Sequence, residues 1–123
     1  MHSTVANVLR DRNRNLHVVA SEPSESAVLS GQPKGSHKIE GIGIGFVPPA
    51  WQPADVNEIQ AATTEEAIQM CRRLAREEGI FGGTSTGLNV IAALRVAARL
   101  GPDATVATIL IDSGLRYMST EVY

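Results

Sequence analysis

The sequence predicts an α/β domain in which a parallel or mostly parallel sheet is flanked by helices. Two observations carry this prediction: helix and strand patterns alternate along the chain, and the strongest strand pattern is apolar on both faces. Alternation is typical of parallel strands joined by crossover helices, and two apolar faces are typical of a buried parallel strand. With 123 residues, of which 43% are hydrophobic, residues 1–123 are expected to form a single domain.

The first half of the chain predicts a helix, a strand and a long loop. Apolar residues recur at helical spacing from residue 4 to residue 12, and the apolar run 16–20 predicts a buried strand that is closed by Pro23. Residues 23–53 contain five of the six prolines, which predicts an irregular segment. Loops of this length in compact domains are usually functional.

The next elements are a short strand and a capped helix. Residues 56–61 alternate apolar and polar side chains, as a half-buried strand does. Thr63 and Glu66 have the spacing of a capping box, and the apolar stripe that follows ends before Gly79. We therefore expect a helix between these points.

The last third predicts a strand, a helix and another strand. Ile80-Phe81 is a brief apolar segment, and the alanine-rich stretch 86–100 predicts a helix stopped by Gly101-Pro102. Residues 105–111, Thr-Val-Ala-Thr-Ile-Leu-Ile, are almost all β-branched or apolar and give the strongest strand prediction.

Two glycine-rich segments are candidates for ligand binding. Gly41-Ile42-Gly43-Ile44-Gly45 runs into Val47-Pro48-Pro49, so it cannot open a helix as a dinucleotide fingerprint must. It is either a surface loop or a backbone that approaches a flat ligand. Gly82-Gly83-Thr84-Ser85-Thr86-Gly87 lies between a strand and a helix, so its hydroxyls either cap the helix or bind a ligand. The missing Gly-Lys ending excludes a Walker loop.

The remaining reactive side chains give no catalytic constellation. Lys34 and Lys38, the only lysines, lie in a polar loop and are expected to be solvated, and His37 beside them is expected to be exposed. Cys71, the only cysteine, falls on an apolar helix face and cannot form an internal disulfide. The histidines show no metal-ligand spacing, so we expect no structural metal.

Charge and hydropathy exclude two classes of partner. The net charge is −2, and basic residues are interspersed with acidic ones, which argues against nucleic acid as a partner. No apolar stretch approaches the roughly 18 residues of a membrane span, and no secretory leader opens the chain. A cytoplasmic protein is expected.

Four segments, in order, resemble cysteine synthase (O-acetylserine sulfhydrylase), a pyridoxal-phosphate (PLP) enzyme of fold type II. They are Glu22-Pro23-Ser24-Glu25-Ser26-Ala27-Val28-Leu29-Ser30-Gly31, residues 37–48 beginning His-Lys-Ile-Glu-Gly, Glu77-Glu78-Gly79-Ile80 with residues 83–87, and residues 112–120 beginning Asp-Ser-Gly-Leu-Arg-Tyr. The resemblance spans nearly the whole chain and implies part of a three-layer domain of the tryptophan-synthase-β type. Cystathionine β-synthase is similar in the same places.

The resemblance also implies which residues meet the cofactor. In this family a serine hydroxyl faces the pyridine nitrogen of PLP, and Ser85 is the matching residue. Unlike an aspartate, a serine does not keep that nitrogen protonated, which favours β-elimination and β-replacement over reactions needing a long-lived carbanion. Gly43 would pass close to the cofactor, and Asp112 and Ser113 would lie near the ring nitrogen.

The family's Schiff-base lysine, substrate-carboxylate loop and Gly-Thr-Gly-Gly-Thr phosphate cradle have no counterpart here. When the sequence is aligned on Leu9, the cradle would end near Met1. The chain is therefore expected to be a carboxy-terminal portion of the enzyme, unable to make cysteine from O-acetylserine and sulfide by itself. Smaller departures are Ile111, where a proline is usual, and Leu115, where an acidic residue is usual.

Two further expectations concern partners. A parallel sheet without its neighbouring strands has an unpaired edge, which tends to recruit another strand. We therefore expect either a homo-oligomer such as a dimer or association with the missing amino-terminal half. The alternative to an enzyme portion is a free-standing, non-catalytic module that acts by association.

Overall fold

A computed structural model describes residues 2–123, with side chains described from residue 5 onwards. Met1, where the sequence comparison places the end of the phosphate cradle, lies outside the described residues. Four helical segments and two strands form the framework: α1 (His2–Arg12), β1 (Val19–Pro23), β2 (Glu58–Ala62), α2 (Thr64–Arg73), a π-helical turn (Leu74–Glu78) and α3 (Thr84–Leu100). A 3₁₀ turn follows at Gly114–Tyr117.

The sheet consists of β1 and β2, which pair in parallel with Val19 opposite Glu58 and Pro23 opposite Ala62. This confirms the prediction of parallel strands in an α/β domain. The first strand lies three residues later than predicted, because the ladder extends through Pro23 instead of ending before it. Proline is tolerated at this position because it ends the strand, where its missing N–H removes little from the ladder.

The helix predicted after Thr63 is confirmed with its cap. The Thr63 hydroxyl accepts from the Glu66 N–H (3.2 Å), and the Glu66 carboxylate accepts from the Thr63 N–H (2.8 Å). The helical path continues through the π-helical turn and stops at Gly79, whose φ of +68° is readily adopted only by glycine. Ala67, Ile68 and Cys71 form the buried face of α2.

Helices α2 and α3 pack at very close range. A Cβ added to Gly87 of α3 would lie 2.1 Å from the Ala67 carbonyl oxygen and 2.9 Å from the Cys71 Sγ. Glycine at this position therefore lets the two helix backbones touch. The main core forms around this contact from Ile39, Ala62, Ala67, Leu88 and Ile91.

Two strand predictions in the last third are wrong for the described chain. Ile80-Phe81 is not a strand; only an isolated antiparallel bridge joins Gly82 to Ser113. Residues 105–111 also form no strand, although their composition gave the strongest prediction. A strand needs a neighbour with which to exchange hydrogen bonds, and none of residues 2–123 provides one for this segment.

Candidate functional site

The turn Gly82–Gly87 forms the start of α3. The helix begins at Thr84, two residues earlier than predicted, and its N-cap is Gly83, with no side chain capping the first turn. Near the other end of α3, Arg99 contacts Glu58, the first residue of β2. Helix α3 therefore runs antiparallel to the strands, and the turn lies toward their carboxyl ends, where α/β sheets bind ligands.

Three consecutive hydroxyls in this turn have different roles. The Thr84 Oγ1 accepts from the Glu40 N–H at 3.1 Å, and the Thr86 Oγ1 both donates to the Ile111 carbonyl and accepts from the Ile111 N–H, each at 2.6 Å. Ser85 is 3% exposed, and its hydroxyl forms no hydrogen bond within residues 2–123, although it is not one of the fully buried side-chain atoms that lack a partner. The two threonines hold neighbouring loops in place, and Ser85 alone remains available to a ligand.

The glycine loop, residues 41–45, is connected to the turn at residues 82–87 by the hydrogen bond of Glu40, and not by Gly43. Ile39, 1% exposed, anchors the loop in the core. Gly43 has a φ of +61°, and a Cβ there would lie 2.4 Å from the His37 Nε2 and 2.7 Å from the Pro23 Cγ. Glycine is required at this position by the chain's own packing, and the predicted cofactor contact of Gly43 stays a prediction.

His37 has a structural role that the sequence did not reveal. Its Nδ1 accepts from the Ile39 N–H (3.2 Å), so the ring proton lies on Nε2, which donates to the Gly43 carbonyl (2.8 Å). Both ring nitrogens are therefore engaged in shaping the glycine loop. The only sequence signal for this structural role was the spacing of His37 and Ile39, because a ring nitrogen can accept a hydrogen bond from a backbone amide two residues ahead.

Asp112 and Ser113 lie against the turn. The Gly83 N–H donates to the Ile111 carbonyl (3.2 Å) just before them. The Asp112 backbone has a φ of +60°, and its carboxylate accepts from the Arg116 Nη1 (3.1 Å) and the Tyr117 hydroxyl (3.0 Å). Burial, and then the hydrogen bond to Asp112, raise the pKa of Tyr117.

The Ser113 hydroxyl accepts from the Leu115 N–H (3.3 Å) and caps the 3₁₀ turn. The polar groups of Asp112 and Ser113 are thus used within the chain, in contrast to the hydroxyl of Ser85. Their proximity to a cofactor ring remains a prediction.

Neither lysine hydrogen-bonds to this turn. Lys38 forms an exposed ion pair with Glu121, and Lys34 is exposed. Cys71 is buried as predicted: its thiol donates to the Gly83 carbonyl (3.1 Å), and burial raises its pKa, so it remains a thiol at neutral pH. The described residues near the turn therefore supply a hydroxyl contact but no amine nucleophile.

A cavity of about 610 Å³ is lined by residues 37–43, which include the loop's anchor Ile39, together with Ile68, Tyr117 and residues 120–122. Ser85 does not line it. The cavity is therefore not the space in which a ring could meet the Ser85 hydroxyl.

A family model described as "Pyridoxal-phosphate dependent enzyme" matches residues 1–112. The chain belongs to this family. Within this family of PLP-dependent enzymes the Ser85 hydroxyl fits a contact to the pyridine ring, since it forms no hydrogen bond within residues 2–123 and lies in the first turn of α3. The fit is partial, because no lysine accompanies it among the described residues.

Relatives within the PLP-dependent family are cysteine synthases. The chain is 41% identical over 121 residues to cysteine synthase from Staphylococcus aureus, covering 98% of this chain and 39% of that protein. It is 43% identical over 120 residues to cysteine synthase 3 from Caenorhabditis elegans, covering 97% and 36%. The chain thus spans less than two fifths of the length of these relatives.

The comparison with solved structures also finds cysteine-synthase-type enzymes. The fold matches O-acetyl serine sulfhydrylase isoform 3 from Entamoeba histolytica with a TM-score of 0.94 and 42% identity, over 97% of this chain and 36% of that one. It matches the O-acetylserine-dependent cystathionine β-synthase from Helicobacter pylori with a TM-score of 0.92 and 34% identity, over 99% and 40%. These matches confirm the predicted fold class. None of the helices in residues 2–123 is long and apolar enough to cross a membrane.

Proposed function

We propose that this chain is the carboxy-terminal portion of a cysteine-synthase-type enzyme and forms the ring-nitrogen side of its PLP site. The full enzyme would make L-cysteine from O-acetylserine and sulfide. When bound, PLP supplies the electron sink that lets a β-substituent of an amino acid leave and be replaced. The contribution of this chain is to hold a neutral hydroxyl donor, Ser85, against the ring.

The observation that carries the proposal is the hydrogen-bonding pattern of residues 84–86. Thr84 and Thr86 are hydrogen-bonded to Glu40 and Ile111, while the hydroxyl between them, on a residue that is 3% exposed, forms no hydrogen bond within residues 2–123. A hydroxyl that is not used within the chain can donate a hydrogen bond to a ligand. A pyridine nitrogen can accept such a bond from Ser85.

We propose further that the chain has no cysteine synthase activity by itself. Covalent attachment of PLP as a Schiff base needs an amine, and abstraction of the substrate α-proton needs a base, which in this family the same lysine would supply. Lys38 is paired with Glu121 at the surface, and Lys34 is exposed. On mixing the chain with PLP, we expect borohydride reduction to label neither lysine above the level found in unfolded chain. A stoichiometric label that disappears in Lys38→Ala would contradict this.

The role of Ser85 is tested in a chimera in which residues 1–123 replace the matching segment of S. aureus cysteine synthase. We expect the chimera to form cysteine from O-acetylserine and sulfide, and Ser85→Ala to lower turnover and shift the absorption band of bound PLP. Ser119→Ala, which removes an exposed hydroxyl, is the matched control. An unchanged spectrum and turnover in Ser85→Ala would refute a ring contact.

The same chimera separates cysteine synthase from cystathionine β-synthase chemistry. The 34% identity to the H. pylori enzyme is the observation that favours testing both. Offering sulfide and homocysteine in parallel shows which thiol is used, and we expect sulfide to be preferred. Preference for homocysteine would assign the chain to the second activity.

A free-standing module that acts by self-association is the second candidate. It is favoured by the exposed apolar residues Ile109 and Leu110 in a segment without a strand partner among the described residues. Light scattering would then show a dimer at micromolar concentration, whereas a monomer at high concentration would count against it. A cytoplasmic location, expected from the sequence, is part of both proposals.

A further inference from the structure

The turn that presents Ser85 begins with two glycines, Gly82 and Gly83, and Gly83 is the N-cap of α3. Glycine has the least restricted backbone of all residues and loses the most conformational freedom on folding. The peptide plane between the two glycines leads into the first turn of the helix. Its orientation therefore depends on contacts from elsewhere in the chain.

That peptide plane is hydrogen-bonded at both ends. On one side, the Gly83 N–H donates to the Ile111 carbonyl (3.2 Å). On the other side, the Gly82 carbonyl accepts from the Tyr123 hydroxyl (2.6 Å). Rotation of the plane would break both bonds, one to the backbone of a neighbouring segment and one to a side chain. Tyr123 thus supplies the side-chain part of this restraint.

The Tyr123 side chain is itself held in place. Its ring packs against the buried cluster that contains Ile68, Cys71 and Tyr117, and its centroid lies 4.6 Å from that of the Phe81 ring, with an interplanar angle of 54°. Burial raises the pKa of Tyr123, so the phenol keeps its proton at neutral pH and remains a donor. The direction of its hydroxyl is therefore fixed.

Packing confines the N-cap residue on its remaining sides. A Cβ added to Gly83 would lie 2.8 Å from the Tyr117 Cε2 and 3.0 Å from the Asp112 Cβ. The Gly83 carbonyl accepts from the Cys71 thiol (3.1 Å). The N-cap has no room to shift toward this segment, and the freedom that is left is rotation of the peptide plane that Tyr123 restrains.

The Ser85 hydroxyl follows the backbone of this turn. Ser85 lies two residues after the N-cap, and no hydrogen bond within residues 2–123 orients its side chain. We propose that Tyr123 is a positioning residue for Ser85: by holding the Gly82–Gly83 peptide plane, it directs the Ser85 hydroxyl at the ring nitrogen of the cofactor. The ring contact rests on the proposed function, whereas the restraint of the turn does not.

The restraint is measured in the 123-residue chain without PLP. Tyr123→Phe keeps the ring against Phe81 and removes only the hydroxyl. By NMR, we expect the amide exchange rate of Gly83, divided by that of Leu88 in the core of α3, to rise about threefold or more, as the loss of one hydrogen bond predicts. Thr63→Ala, which destabilises the chain through the cap of α2, is the matched control and should leave this ratio unchanged. An unchanged ratio in Tyr123→Phe would overturn the inference.

The effect on Ser85 is measured in the chimera with S. aureus cysteine synthase. Tyr123→Phe should shift the absorption band of bound PLP in the same direction as Ser85→Ala and lower turnover about three- to tenfold. Because Tyr123 acts through Ser85, the double variant should match Ser85→Ala alone. Thr63→Ala should not shift the band, since a loss of stability alone does not change the ring contact.

Two results in the chimera would overturn the inference. One is a band that stays in place in Tyr123→Phe although Ser85→Ala shifts it, and the other is additive shifts in the double variant. If Ser85→Ala itself leaves the band in place, the proposed ring contact fails and the role of Tyr123 toward it fails as well. The exchange ratio in the chain without PLP would still decide whether Tyr123 restrains the turn, so the two failures are distinguishable.

Discussion

Replacing Gly87 by alanine tests the close packing that positions the start of α3. Alanine is the better helix former, so propensity alone predicts a gain of about 1 kcal/mol. The added Cβ, however, would lie 2.1 Å from the Ala67 carbonyl oxygen, more than 1 Å inside ordinary contact distance. Backbone atoms of α2 cannot rotate away as a flexible side chain can, so the helices must separate.

Overpacking of this kind costs about 1–3 kcal/mol, and a clash with backbone places Gly87→Ala at or above the upper end. After the propensity gain is subtracted, we expect a net loss of about 2 kcal/mol, equivalent to a decrease in Tm on the order of 5–10 °C for a domain of this size. Urea unfolding followed by circular dichroism measures the free energy directly. The start of α3 should move as well, weakening any ligand contact of Ser85.

Ala98→Gly is the matched control, because Ala98 is exposed on the same helix and its substitution reports propensity alone. It should destabilise the chain by about 1 kcal/mol. If Gly87→Ala leaves the chain as stable as the unsubstituted protein, or more stable, the argument from the α2–α3 contact is wrong.

Three further predictions concern contacts around the site and the sheet. Thr86→Val keeps the shape but leaves the Ile111 N–H without a partner, while the Ile111 carbonyl keeps the bond from the Gly83 N–H; it should cost about 1–3 kcal/mol and speed amide exchange at Ile111, measured by NMR. Thr63→Ala removes the cap of α2 and should cost about 1 kcal/mol by urea unfolding, whereas Thr63→Ser should not. Glu58 has its pKa lowered from 4.5 to about 2, first by the hydrogen bond from Arg99. Because this pKa is depressed in the folded state, its stabilisation is present above pH 4.5 and is lost as the pH falls toward 2. Solvent screening limits it to about 1 kcal/mol, and Glu58→Gln should flatten the pH dependence of unfolding in that window. If Glu58→Gln leaves the pH dependence of unfolding unchanged, the predicted stabilisation by ionised Glu58 is wrong.

Local patterns in the sequence predicted the elements whose stabilising contacts are local. The Thr63 and Glu66 capping box located the start of α2 because both partners lie within one helical turn. The strand after α1 was found but displaced by three residues, because pairing with β2, rather than the Pro23 signal, sets its end. The resemblance to cysteine synthase predicts that Ser85 is the ring contact, which stays a prediction, while spacing alone could not separate a cap from a ligand contact.

The sequence by itself determined the α/β class, the family, and the order of α1, β1, β2, α2 and α3, but it predicted two strands that the structure lacks within residues 2–123. Only the tertiary structure showed that Gly83, not a serine or threonine, caps α3, and that Thr84 and Thr86 bind loops while Ser85 has no partner. Only the tertiary structure likewise showed that residues 105–111 form no strand. The physical reason is the same in each case: a residue's own pattern sets what it can bond to, but the partners come from distant parts of the chain or from another molecule.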